Sequence, residues 1–134
     1  MSQAVLRPAA PAGALSLARV LTFDAITGVV MGVALLALAQ PLAAWLGLPQ
    51  ALLWWAGLVL LPCTVVMVLA ARRSSRALAT LVIAGNVGWV LASLAVALLL
   101  EPTALGLAFV LGQAAAVVVL AALEWSGLRA GHFG

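Results

Sequence analysis

Few side chains in this chain can do chemistry, and most of them lie inside apolar runs. The carboxylates are Asp24, Glu101 and Glu124, and the amides deepest within apolar sequence are Asn86 and Gln113. A carboxylate in hydrocarbon takes either a positive partner or a proton. Asp24 follows Arg19 by five residues, about 7 Å along a helix. Its expected state is an ion pair with an arginine at the membrane surface, and the chemical alternative is a proton or cation site. Glu124 shares a helical face with Gln113, Val117 and Leu120, with Arg19, Arg72 or Arg73 as its expected partner. Asn86 and Gln113 each lie about 15 Å from the inner boundary of their own helices. That depth predicts a hydrogen bond between them across the third and fourth helices, with Ser93 on the same face as Asn86. Asp24, Asn86, Gln113 and Glu124 are therefore the candidate intramembrane polar site.

Other chemistry has little to stand on. Cys63 is the one cysteine, so neither an internal disulfide nor a zinc set is available, and it reads as a small buried hydrophobe. His132 is the one histidine, which excludes bis-histidine haem ligation within one chain. There is no glycine-rich phosphate loop and no nucleophile–base pair. No catalytic residue, metal ligand or cofactor is predicted, and an enzyme finds little support.

The elements that must position these residues follow from composition. Of 134 residues, 67% are apolar and 7% charged, against roughly 25% charged in soluble domains. A water-soluble domain of this length has too little interior to hide so much apolar surface. Four stretches, about 20–44, 51–71, 77–100 and 103–125, each approach the ~20 residues a helix needs to cross the hydrocarbon. They do not alternate polar and apolar residues, which argues against barrel strands. Gln40-Pro41 with Gly47-Leu48-Pro49, then Arg72 to Arg76, then Glu101-Pro102-Thr103 supply the breaks. Pro62 falls inside the second span and predicts a kink.

Connections this short predict an antiparallel four-helix transmembrane bundle, all-α, spanning residues 14–134, with residues 1–13 as a mobile tail. All six basic residues are arginines. Arg7 and Arg19 precede the first span, Arg72, Arg73 and Arg76 separate the second and third, and Arg129 follows the fourth. The positive-inside rule then places both termini in the cytoplasm and the chain in a bacterial inner membrane. Trp45, Trp54, Trp55 and Trp125 fall at the expected interfaces, while Trp89 lies deeper. Ala37-Leu38-Ala39 resembles a signal-peptide cleavage site, although Asp24 and Pro41 argue against one. A faint duplication with an offset near 61 residues aligns Asp24 and Gln40-Pro41 with Asn86 and Glu101-Pro102.

Gly28 and Gly32 form a small-xxx-small pair for close helix packing, and Gly85 and Gly88 suggest another. The partners implied are the bilayer and a second copy or another membrane protein, whereas arginines at span ends exclude a nucleic-acid stripe. The expected function is an accessory or structural membrane protein. The rivals are a small proton-coupled transporter or channel using Asp24, and a lipid- or quinone-binding protein.

Overall fold

The computed structural model describes residues 16–131. The tail expected at residues 1–13, Arg7 and His132 lie outside them. The described chain forms five helices, α1 Leu17–Ala37, α2 Ala39–Leu46, α3 Gln50–Arg73, α4 Arg76–Leu99 and α5 Ala104–Ala130. All but α2 are long and apolar enough to cross a membrane. Leu98 is 79% exposed and Phe23 59% exposed, one a long aliphatic and the other an aromatic side chain. Apolar residues this bare, repeated along every span, need lipid as their solvent. The chain is a membrane-embedded helical protein.

Helix boundaries follow local chemistry. Ser16, Ser75 and Thr103 cap the starts of α1, α4 and α5, each side-chain oxygen accepting an amide three residues on, from Arg19, Leu78 and Gly106. The first span ends earlier than expected. The helix stops at Ala37 and restarts at Ala39, because Pro41 has no N–H to give the Ala37 carbonyl. Residues 39–46 therefore form a separate short helix. In the other direction, α5 runs five residues past Trp125, to Ala130. The α3 helix continues through Pro62.

Glycines bring α1 against α3. A methyl on Gly28 would meet Thr64 Cγ2 at 2.6 Å, and one on Gly57 would meet the Gly32 carbonyl at 2.8 Å. Backbones that close require residues without a Cβ. Gly28 and Gly32 thus serve an interface within this chain. Gly85 and Gly88 do not: neither has a neighbour within 4 Å of an added methyl among the described residues. The second extensive helix pair is α4 with α5, and the two pairs touch each other less.

The apolar core lies in two blocks. One gathers the start of α1, the end of α3, the start of α4 and the end of α5 around Leu17, Leu21, Met67, Ala79 and Leu128. There Arg76 Nη1 donates to the Leu128 carbonyl at 2.9 Å. The other block joins the end of α1, α2, the start of α3 and the start of α5 around Leu35, Leu46, Leu53 and Val110. There Thr103 fastens α5 to α2, its N–H donating to the Leu46 carbonyl at 3.0 Å and its hydroxyl to the Trp45 carbonyl at 2.8 Å. The polar residues lie between the blocks.

Replacing Gly57 by Val is expected to lower stability by about 1–3 kcal/mol through overpacking. Gly88→Ala is expected to cost nothing measurable. Thermal unfolding of both variants in one detergent checks the contrast, and equal losses would contradict the assignment of Gly57 to a closed interface.

Candidate functional site

Three buried polar side chains from three helices meet at one nitrogen. Asp24 on α1 is 5% exposed, Asn86 on α4 7% and Glu124 on α5 0%. The Asn86 Nδ2 amide donates to Asp24 Oδ2 at 3.0 Å and to Glu124 Oε1 at 2.8 Å. Its two hydrogens are thereby spent on two carboxyl groups. Acceptors of one nitrogen lie within about 6 Å of each other at these distances. The second oxygen of Glu124, Oε2, is buried and finds no hydrogen-bond partner among the described residues.

Each partner reaches this point for a local reason. Asp24 is seven residues into α1 and Asn86 ten into α4, a difference of about 4.5 Å along the axes. Glu124 is six residues from the end of α5. The packing of Leu17 against Gly127 brings these helix ends level. Thr27 spends its hydroxyl on the Asp24 carbonyl at 2.9 Å and leaves the carboxyl free.

The expected arginine pairing of Asp24 and Glu124 is replaced by this shared amide. Among the described residues the hydrogen bonds of both carboxyls come from Asn86. Arg76 instead donates to the α5 backbone, and Arg72, Arg73 and Arg129 are exposed in helix last turns. There a cation meets the negative end of the helix dipole. Two buried carboxyls without a basic partner need another positive charge, whether a proton or a bound cation.

Gln113 belongs to a different cluster, so the expected Asn86–Gln113 bond is corrected as well. Because α5 extends to Ala130, Gln113 lies 17 residues from that end, about 25 Å, and Asn86 is too shallow to reach it. Gln113 meets Trp89 and Ser93 instead. The indole Nε1 donates to Gln113 Oε1 at 2.7 Å, Gln113 Nε2 donates to Ser93 Oγ at 2.9 Å, and Ser93 returns its hydroxyl to the Trp89 carbonyl at 2.8 Å. Trp89, noted in the sequence only for its depth, is the residue missed. Its spacing from Asn86 and Ser93, i+3 and i−4, put all three on one face of α4.

A cavity of about 1000 Å³ opens between the four spans. Asp24 and Asn86 are on its wall at the arginine-rich end, with Arg19 at the same end and Glu124 behind them. Phe23, Met31, Met67 and Leu120 represent its otherwise apolar lining. Cys63 is free, half-buried and on the wall. A second cavity of about 130 Å³ lies toward the opposite end. Met31, Trp89 and Gln113 border both, so the Trp89–Gln113 pair lies where the two approach each other.

Asn86→Leu is expected to cost about 1.5–3 kcal/mol, because it strips a donor from two buried carboxyls. Adding Asp24→Leu is expected to recover part of that loss, since one of the stranded carboxyls is then gone. Thermal unfolding of the single and double variants is the check, and an Asn86→Leu protein as stable as wild type would contradict the shared bond. No family model, curated protein or solved structure matches the chain.

Proposed function

We propose that this protein is a small proton-linked membrane carrier, with the central cavity as the solute chamber and Asp24, Asn86 and Glu124 as the proton-binding centre. The observation that supports it is the pair of buried carboxyls sharing one amide at the wall of a large apolar chamber. Chambers of roughly 300–1,000 Å³ hold drug-sized molecules. A proton on Glu124 Oε2 gives that unpartnered oxygen a role and leaves a single negative charge on the pair. Gln113 enters where the two cavities approach each other, on the way of a solute to the far side.

In this reading the bundle is antiparallel, both termini and the Arg72–Arg76 turn face the cytoplasm of a bacterial inner membrane, and the chamber communicates with that side. The gathering of Arg19, Arg76 and Arg129 at one end of the helices supports it, by the positive-inside rule. In a Cys63→Ala background, Ser74→Cys is expected to react with an impermeant maleimide only after the cells are opened, and Glu101→Cys in intact cells. The reverse pattern would invert the topology.

A second reading, an accessory subunit packed against a second copy or another membrane protein, draws on Gly88 and Gly112. No atom of the described residues approaches an added methyl at either of them within 4 Å. Small residues facing outward suit helix association in lipid. A strictly monomeric chain in mild detergent would count against it. A lipid or quinone as the resident of the chamber would appear in mass spectrometry of the purified protein.

The carrier is tested in proteoliposomes holding a pH-sensitive dye, challenged with a panel of neutral, cationic and anionic aromatic solutes. Wild type is expected to move protons in response to at least one solute. Asp24→Asn is expected to lose that coupled flux by an order of magnitude or more, because an amide there removes one of the two carboxyls that hold the proton. Equal flux from both proteins would remove Asp24 from the mechanism.

A further inference from the structure

We infer that the solute of this chamber is a lipophilic organic cation of single charge, and that it competes with the proton at the Asp24–Glu124 pair. This deepens the carrier reading above and rests on it.

Charge decides the sign of the ligand. The titratable or charged groups facing the pair are Arg19 and Asp24 from α1, Cys63 from α3 and Glu124 from α5, while α4 contributes the neutral Asn86. Arg19 is exposed, and nothing in the described hydrogen bonding ties it to either carboxyl. The two carboxyls are buried in contact with one nitrogen. An exposed guanidinium is screened by water, whereas buried charges are screened much less. The field inside the chamber is therefore that of the carboxyls. An anion entering it meets like charge at close range, and a neutral solute gains nothing from the charge of the pair.

Shape and donor set decide the class. A small inorganic cation takes about six or more oxygen ligands. Asp24 and Asn86 offer few oxygens on the chamber wall, and Arg19 stands at the same end. The rest of the wall is methyl, methylene, thioether and ring surface from residues such as Met31, Val66, Met67, Val82 and Leu120. Such a wall takes an apolar body out of water, which is favourable. The Trp89 and Phe23 rings on the same wall add faces that attract a cation. One positive charge on a bulky apolar frame satisfies both halves of the site.

Competition follows from Glu124 Oε2. Buried and unpartnered among the described residues, it accepts a proton when the chamber is empty. The pair carries two negative charges without that proton and one with it, so a cation beside Asp24 is held more tightly once the proton has left. Lowering the pH therefore weakens cation binding, and binding of the cation releases a proton.

Tetraphenylphosphonium and tetraphenylborate test this directly, being nearly equal in size and shape and opposite in charge. Each is measured by equilibrium dialysis against the full chain in bilayer discs, with protein-free discs subtracted. Saturable binding of the phosphonium is expected, its Kd rising as the pH is lowered from about 9 to about 5. No saturable binding of the borate is expected. Asp24→Asn should weaken phosphonium binding at least tenfold, and Glu124→Gln should keep it while flattening its pH dependence. Saturable borate binding of equal affinity, or phosphonium binding indifferent to pH across that range, overturns the inference with wild-type protein alone. Proton flux driven by a neutral solute, with no phosphonium binding, would leave the carrier standing and sink only this assignment. Phosphonium binding without any coupled flux would do the reverse.

Discussion

The amide nitrogen of Asn86 carries more of this structure than any other atom. It has two hydrogens, and carboxyl oxygens from two different helices take both. In lipid no hydrophobic drive pulls helices together, so association rests on close packing and on polar contacts that have nowhere else to go. The Asn86 bonds therefore tie α1 and α5 to α4 at a point where all three partners are shielded from solvent. They also fix the electrostatics of the interior. A lone carboxylate at this depth could be neutralised and forgotten, but two on one donor must be compensated together.

The chamber beside them is a consequence of unequal packing. Gly28, Gly32 and Gly57 draw α1 and α3 into backbone contact, and α4 and α5 make the other extensive pair. Leucine- and valine-rich faces cannot approach as closely as glycine faces, so the two pairs stand apart in the middle and meet at their ends, where the apolar blocks form. Thr103, holding the start of α5 to the end of α2, closes the end opposite the arginines. What remains between the blocks is the space that Asp24 and Asn86 face.

Much of this architecture can be read from residues alone. Apolar runs of the right length, broken at Gly47-Leu48-Pro49, Ser74-Ser75 and Pro102, give the spans, because hydrocarbon thickness and proline chemistry are local constraints. Gln40-Pro41 marks the break near Leu38, but not that residues 39–46 form a helix of their own, since helical and loop readings suit so short a stretch equally. Pairing among the polar residues escapes such a reading for another reason. The depth of Gln113 depends on where α5 ends, and five extra residues shift it by about 7 Å. That shift separates Gln113 from Asn86 and hands it to Trp89. Asp24 and Asn86, the positions that the faint duplication aligns, are hydrogen-bond partners.

Both polar clusters draw on the same face of α4. Asn86, Trp89 and Ser93 follow one another at i, i+3 and i+7 and so stack along a single stripe. Each is committed to a partner on α5, Asn86 to Glu124 and the other two to Gln113. A slide or rotation of α4 against α5 large enough to free Trp89 from Gln113 would also pull Asn86 from Glu124. The buried carboxyl pair and the Trp89–Gln113 contact are thereby held by the same pair of helices.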